Sequence, residues 1–136
     1  LEDRVPELLD AARRVLLRSY SPYSRFKVGA ALLGASGRIY AGTNVENASL
    51  GLSICAERAA IFQAVAAGEK AYEVIAICTD TEKPTPPCGA CRQVLWEFAP
   101  HLQVVLAGRG DRIERHALRE LMAHPFGSFL PPDRKE

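Results

Sequence analysis

Three cysteines and a glutamate carry the chemistry legible in this 136-residue chain: Cys55-Ala56-Glu57, and later Pro87-Cys88-Gly89-Ala90-Cys91. A Cys-x-x-Cys pair plus one distant cysteine offers three soft ligands, whereas zinc prefers four. A structural zinc site fills all four positions from protein, and a catalytic one leaves the last for water. Glu57 lies two positions after Cys55, so it shares the first turn of any helix that opens there. From that turn a carboxylate reaches a water on the metal without ligating the metal, which is the geometry general acid–base catalysis needs.

The elements around the motif must hold these groups together. Residues 55–68, CAERAAIFQAVAAG, are rich in alanine and other good helix formers, and Gly68 is a stop signal. Pro86 and Pro87 block a helix before them, CGACRQVLWEFA begins one at Cys88, and Pro100 follows it. Two helix N-termini would then face one metal, where amides and macrodipoles favour anionic ligands and keep the thiols ionised. Three thiolates on a divalent ion leave the centre negative and a weaker Lewis acid. Arg58 and Arg92 are candidates for donating hydrogen bonds to ligand sulfurs, with Arg58 favoured because it shares the turn of Cys55 and Glu57. The bland reading of both is solvated surface charge.

Cys-x-Glu followed by Pro-Cys-x-x-Cys is the signature of zinc-dependent nucleobase deaminases. With FKVGAAL (26–32), GTNVENAS (42–49), ICAERAA (54–60) and PPCGACRQ (86–93), the chain closely resembles the small homotetrameric cytidine deaminases over about residues 5–130. The resemblance implies a three-layer α/β/α sandwich around a mixed five-stranded sheet, and one zinc per chain on Cys55, Cys88 and Cys91. It implies that Glu57 shuttles protons as hydroxide attacks C4 of cytosine, giving uridine or 2′-deoxyuridine plus ammonia in pyrimidine salvage. By the same resemblance Phe26 would pack on the nucleoside, Asn44 and Glu46 would hydrogen-bond the ribose 3′-hydroxyl, and the backbone of Ala56 would hold the base O2. Phe126, in HPFGSF, matches a phenylalanine that stacks on the base in another subunit's site. One departure is Leu50, where the family commonly has a tyrosine near the 5′-hydroxyl of a neighbouring subunit; leucine offers only backbone there. An acidic side chain against a ribose edge prefers a hydroxyl to a phosphate, so Glu46 argues for free nucleosides.

Composition agrees with a small-molecule enzyme. The chain is 48% hydrophobic, enough for one domain spanning 1–136 with a real core. Seventeen basic against sixteen acidic residues leave a formal charge of +1, too little to hold a polyanion, so nucleic acid is not expected as a partner. LEDRVPELLDAARRVLLRSY reads as an amphipathic helix over about 5–18 with no uninterrupted apolar core of a signal peptide. The apolar runs are too short to span a membrane. A cytoplasmic setting is therefore expected, with the cysteines reduced and available for metal. Strands are predicted near 27–34 and 38–43, flanking Gly34-Ala35-Ser36-Gly37 as a hairpin, and at VIAICTD (74–80) and QVVLAG (103–108). Strand, helix, strand asks for a parallel crossover, hence a mixed sheet between helices with its ligand at the carboxyl ends of strands.

Other candidates have plainer readings. Cys78, mid-strand in an apolar run, is a core residue. His101, His116 and His124 have no spacing that ties them to the metal motif. Composition alone makes Phe26 and Trp96 core residues, and Asn44, Glu46 and Asn47 turn residues. The loop of Tyr20, Pro22 and Tyr23 reads as packing. Two other classes could use the same cysteines: a structural zinc module completed by one histidine, and a thiol oxidoreductase working through Cys88 and Cys91. Neither uses both Cys55-x-Glu57 and the loop at 44–47. A deaminase of another amino-pyrimidine, of the blasticidin type, would share the metal motif, and Asn44-Val45-Glu46-Asn47 speaks for ribose against it.

Overall fold

The computed structural model describes residues 4–127. Its elements run α1 (Val5–Leu16), β1 (Val28–Gly34), β2 (Ile39–Thr43), α2 (Ala56–Ala66), β3 (Tyr72–Thr79), α3 (Gly89–Phe98), β4 (Gln103–Ala107) and β5 (Ile113–Ala117). The strands form one sheet in the order β2-β1-β3-β4-β5. β3 and β4 are parallel, as the α3 crossover requires, and the remaining pairs are antiparallel.

Alternation along the strands divides the core between the two faces of the sheet. Leu33, Val74, Ala76, Cys78 and Val105 meet Leu8, Leu9 and Ala12 of α1 on one face. Leu32, Ile75, Ile77, Val104 and Leu106 meet Ala60, Ile61 and Ala64 of α2 and Leu95 of α3 on the other. The result is the expected α/β/α sandwich, and Cys78 lies in its core, 1% exposed. β1 is buried along its whole length, as a strand covered on both faces must be.

Sequence and structure differ at three places. α1 stops at Leu16, before the expected end near 18, because the backbone tightens there: the amides of Leu17 and Arg18 bond to Arg14 and Val15, three residues back. Trp96 is half-buried against the core rather than enclosed by it. β5, IERHA, is not legible in the pattern, because an edge strand with the polar run Glu114-Arg115-His116 at its centre lacks the apolar run by which the others are recognised.

Two close approaches fix how the helices sit on the sheet. A Cβ on Gly42 of β2 would lie 2.6 Å from Ala60 N and 2.7 Å from Ala56 O, so α2 rests directly on strand backbone. A Cβ on Gly29 of β1 would meet Ala12 O of α1 at 2.0 Å. The inward residues of α2 are mostly small, Ala56, Ala60 and Ala64 among them, and that permits the approach. The larger Phe62 and Val65 face outward, 47% and 40% exposed.

Candidate active site

Both halves of the cysteine motif begin helices. Cys55 is the N-cap of α2 and Cys88 the N-cap of α3, each with extended backbone, and the Cys88 sulfur accepts from the Cys91 amide. The three sulfurs lie within 4.8 Å of one another. Cys55 Sγ and Cys88 Sγ are 3.8 Å apart, Cys88 Sγ and Cys91 Sγ 3.4 Å. Sulfurs bound about 2.3 Å from one tetrahedral zinc sit roughly 3.8 Å apart, so the trio fits that ion with a fourth direction left for a small ligand. His116 pairs instead with Glu114, and His101 with Arg119.

The electrostatics of the trio suit a metal. Hydrogen bonds from the Cys91 thiol and then from Arg58 pull the Cys55 pKa down to about 5 against the cost of burial. The same hydrogen bond with Cys55, and then burial, push the Cys91 thiol up. Arg58 Nη2 donates to Cys55 Sγ at 3.2 Å, as expected of the favoured arginine. Arg58 Nε is buried with no partner among the described residues. Arg92 does not touch sulfur. Its Nε donates to Pro87 O at 2.8 Å and its Nη1 to Leu121 O at 3.0 Å, because on α3 it points away from the cluster and braces the chain entering Cys88.

Glu57 is 5% exposed and shares a cleft with Cys55 and Cys88. Burial is the main cause that pushes its pKa up to about 7, with a further push from the Cys55 charge. A carboxyl group poised there can both accept and return a proton at neutral pH.

The cleft, ≈ 290 Å³, opens where β3 ends and β1 begins, with Val28, Ile77 and Thr79 on its wall. Small-molecule sites span about 300–1,000 Å³, which puts it at the small end of that range. Phe26, Asn44 and Glu46 line it together with Cys55, Glu57 and Cys88. Phe26 is 37% exposed, so it is a wall residue and not the core residue that composition suggested. Asn44 is 8% exposed. Its Oδ1 accepts from Ser19 Oγ at 2.6 Å and Val28 N at 3.0 Å, and its Nδ2 donates to Phe26 O at 2.7 Å. A side-chain amide has two N–H donors, so one remains for a ligand.

Glu46 accepts from the amides of Tyr23 and Ser24 and from the Ser24 hydroxyl. The loop read from sequence as mere packing therefore builds part of the cleft. Ser24, Thr79 and Thr85 line it too, and no motif in the sequence singled them out. Ala56 is fully buried and is the first residue of α2, where helix amides have no intrahelical partner. Phe126 is 68% exposed and does not line the cleft of its own chain; its carbonyl accepts from Gln93 Nε2 at 3.2 Å. Leu50, in a short 3-10 turn, is 69% exposed.

Comparison with known proteins places these features. The profile of the cytidine and deoxycytidylate deaminase zinc-binding region matches residues 3–107. The cytidine deaminase of Halalkalibacterium halodurans is 48% identical over 87% of this chain and 88% of its own. That of Sporosarcina psychrophila is 41% identical over 90% of each. The crystal structure of cytidine deaminase from Burkholderia pseudomallei superposes with a TM-score of 0.86 at 44% identity, covering 89% of this chain and 98% of that one. Since the profile match runs through the cleft, all three α-helices and four of the five strands, this chain belongs to the cytidine deaminase family.

Proposed function

We propose that the cleft catalyses hydrolytic deamination of cytidine and 2′-deoxycytidine to uridine and 2′-deoxyuridine, releasing ammonia, with one zinc per chain on Cys55, Cys88 and Cys91. The observation that carries the reading is a buried, unligated carboxylate beside three sulfurs spaced for one ion. Zinc bound there supplies Lewis acidity, lowering the pKa of water at its open position to about 7.

Every other part falls to the chain's own residues. Glu57 takes the proton from the attacking water and passes it to N3 of the base as oxygen bonds to C4. It then carries the second proton to the amino nitrogen, the C4–N4 bond breaks, and ammonia leaves. Arg58 offsets the charge of the thiolates through Cys55 Sγ. Phe26 packs on the nucleoside, Asn44 offers its remaining N–H and Glu46 its carboxylate to the ribose 3′-hydroxyl, and the amide of Ala56 holds the base O2.

Residues 1–136 act as one domain, a reading supported by two apolar clusters on the two faces of a single sheet. Four copies assemble, and Phe126 stacks on the base in a neighbour's cleft. The exposure of Phe126, Phe62 and Val65 supports this. The working compartment is the cytoplasm, consistent with four free cysteines, and no helix among the described residues is long and apolar enough to cross a membrane.

The reading is tested by Glu57→Gln. The variant should keep its zinc and lose about 10²–10⁴-fold in kcat, measured by loss of absorbance in the cytosine band. Full activity with zinc retained would remove the proton shuttle. A wild-type protein that binds zinc and deaminates no cytosine nucleoside would overturn the activity itself.

A further inference from the structure

Ser24 joins the two walls of the nucleoside cleft. Its hydroxyl donates to Glu46 Oε2 and accepts from the Phe26 amide at 3.0 Å. Its own amide and that of Tyr23 donate to Glu46 Oε1 at 3.2 Å and 3.0 Å. Two successive residues thus spend three donors on one carboxylate. A carboxylate has about four acceptor positions, which leaves one for a ligand hydroxyl.

The turn that makes this possible is strained. Arg25, between Ser24 and Phe26, has φ 59°, a left-handed conformation that a side chain with a Cβ adopts only at a cost. The conformation is held from both sides. Arg25 N donates to Ser21 O at 2.9 Å, and Tyr20 bridges the other strap of the cleft, with Tyr20 N on Asn44 O at 3.1 Å and Glu46 N on Tyr20 O at 2.8 Å. An ordinary solvated turn would relax to a cheaper backbone and leave its hydroxyl to water. Here the strain converges on the cleft that Ser24, Phe26 and Glu46 line together.

We propose that Ser24 is a positioning residue that makes the enzyme selective for a ribose bearing a 3′-hydroxyl, because its hydroxyl and amide clamp Glu46 in one orientation beside Phe26. This rests on the reading of Glu46 as the ribose contact. Without the clamp, a half-buried glutamate at the cleft wall samples several rotamers and must be ordered each time a nucleoside binds. The Ser24 hydroxyl is also the leading cause that holds the Glu46 carboxyl below its ordinary range, so the group stays an acceptor.

The test compares kcat/KM for cytidine and for 3′-deoxycytidine in zinc-loaded wild type, Ser24→Ala and Glu46→Ala. Ser24 is exposed, so its truncation leaves the core intact, and zinc content and melting temperature verify that. Ser24→Ala should lower the preference for cytidine over 3′-deoxycytidine about tenfold, through KM, with kcat on cytidine little changed. Glu46→Ala should lower the preference further than Ser24→Ala does, leaving only what Asn44 supplies. If Glu46→Ala lowers it more than about tenfold and Ser24→Ala leaves it within about twofold, the clamp is wrong and the ribose reading stands. If Glu46→Ala leaves the preference intact, the ribose reading fails and takes the clamp with it.

Discussion

The burial that raises the Glu57 pKa works against the fold. The carboxyl titrates near 7 in the folded, metal-free protein, against about 4.5 when unfolded. The folded state therefore binds more protons between those values, and stability is lost as pH rises through them. Zinc-free wild type and Glu57→Gln should unfold alike near pH 4. By pH 8 the variant should be more stable, on the order of 3 kcal/mol, in parallel urea titrations. Parallel stability curves across that range would mean the carboxyl is not desolvated. The identity of this residue is legible in sequence because one helical turn links it to Cys55, and local geometry needs no tertiary knowledge. Arg58 is legible for the same reason, whereas Ser24 is not. Its partner Glu46 lies 22 residues away in the chain, and no local spacing announces the pairing.

Among the elements, α2 shows what periodicity can and cannot say. Its composition identifies a helix starting at Cys55, and the structure agrees to within a residue. The pattern does not reveal that alanines face in while Phe62 and Val65 face out, because small residues go inward only where strand backbone comes close. Gly42 is that place. Gly42→Ala puts a methyl group against Ala56 O and Ala60 N and should push the first turn of α2, with Cys55 and Glu57, off the sheet. We expect a loss of about 1–3 kcal/mol in chemical denaturation and weaker zinc retention against a chelator. Wild-type stability and zinc affinity in this variant would show that the helix has room to move. β5 is not legible in sequence for a related reason: an edge strand is defined by the partner it pairs with, here β4, more than by its own apolar content.

At the scale of the whole molecule, the exposed phenylalanines mark the limit of one chain. Native mass measurement should find four copies together. Phe126→Ala should lower kcat/KM for cytidine about tenfold or more, the worth of stacking an aromatic side chain on a base. A fully active monomer would exclude a contribution from the neighbour's Phe126. The sequence by itself determined the cysteine motif, the carboxylate within one turn of Cys55 and the parallel crossover, since each follows from residue spacing or from the order of strand, helix and strand. Tertiary structure alone decided that Arg92 braces backbone at Pro87 and Leu121. It also brought the loop at 20–24 against the loop at 44–46, where a strained turn meets a carboxylate. Those outcomes depend on which surfaces the sheet brings within hydrogen-bond reach, a distance in space that separation along the chain does not encode.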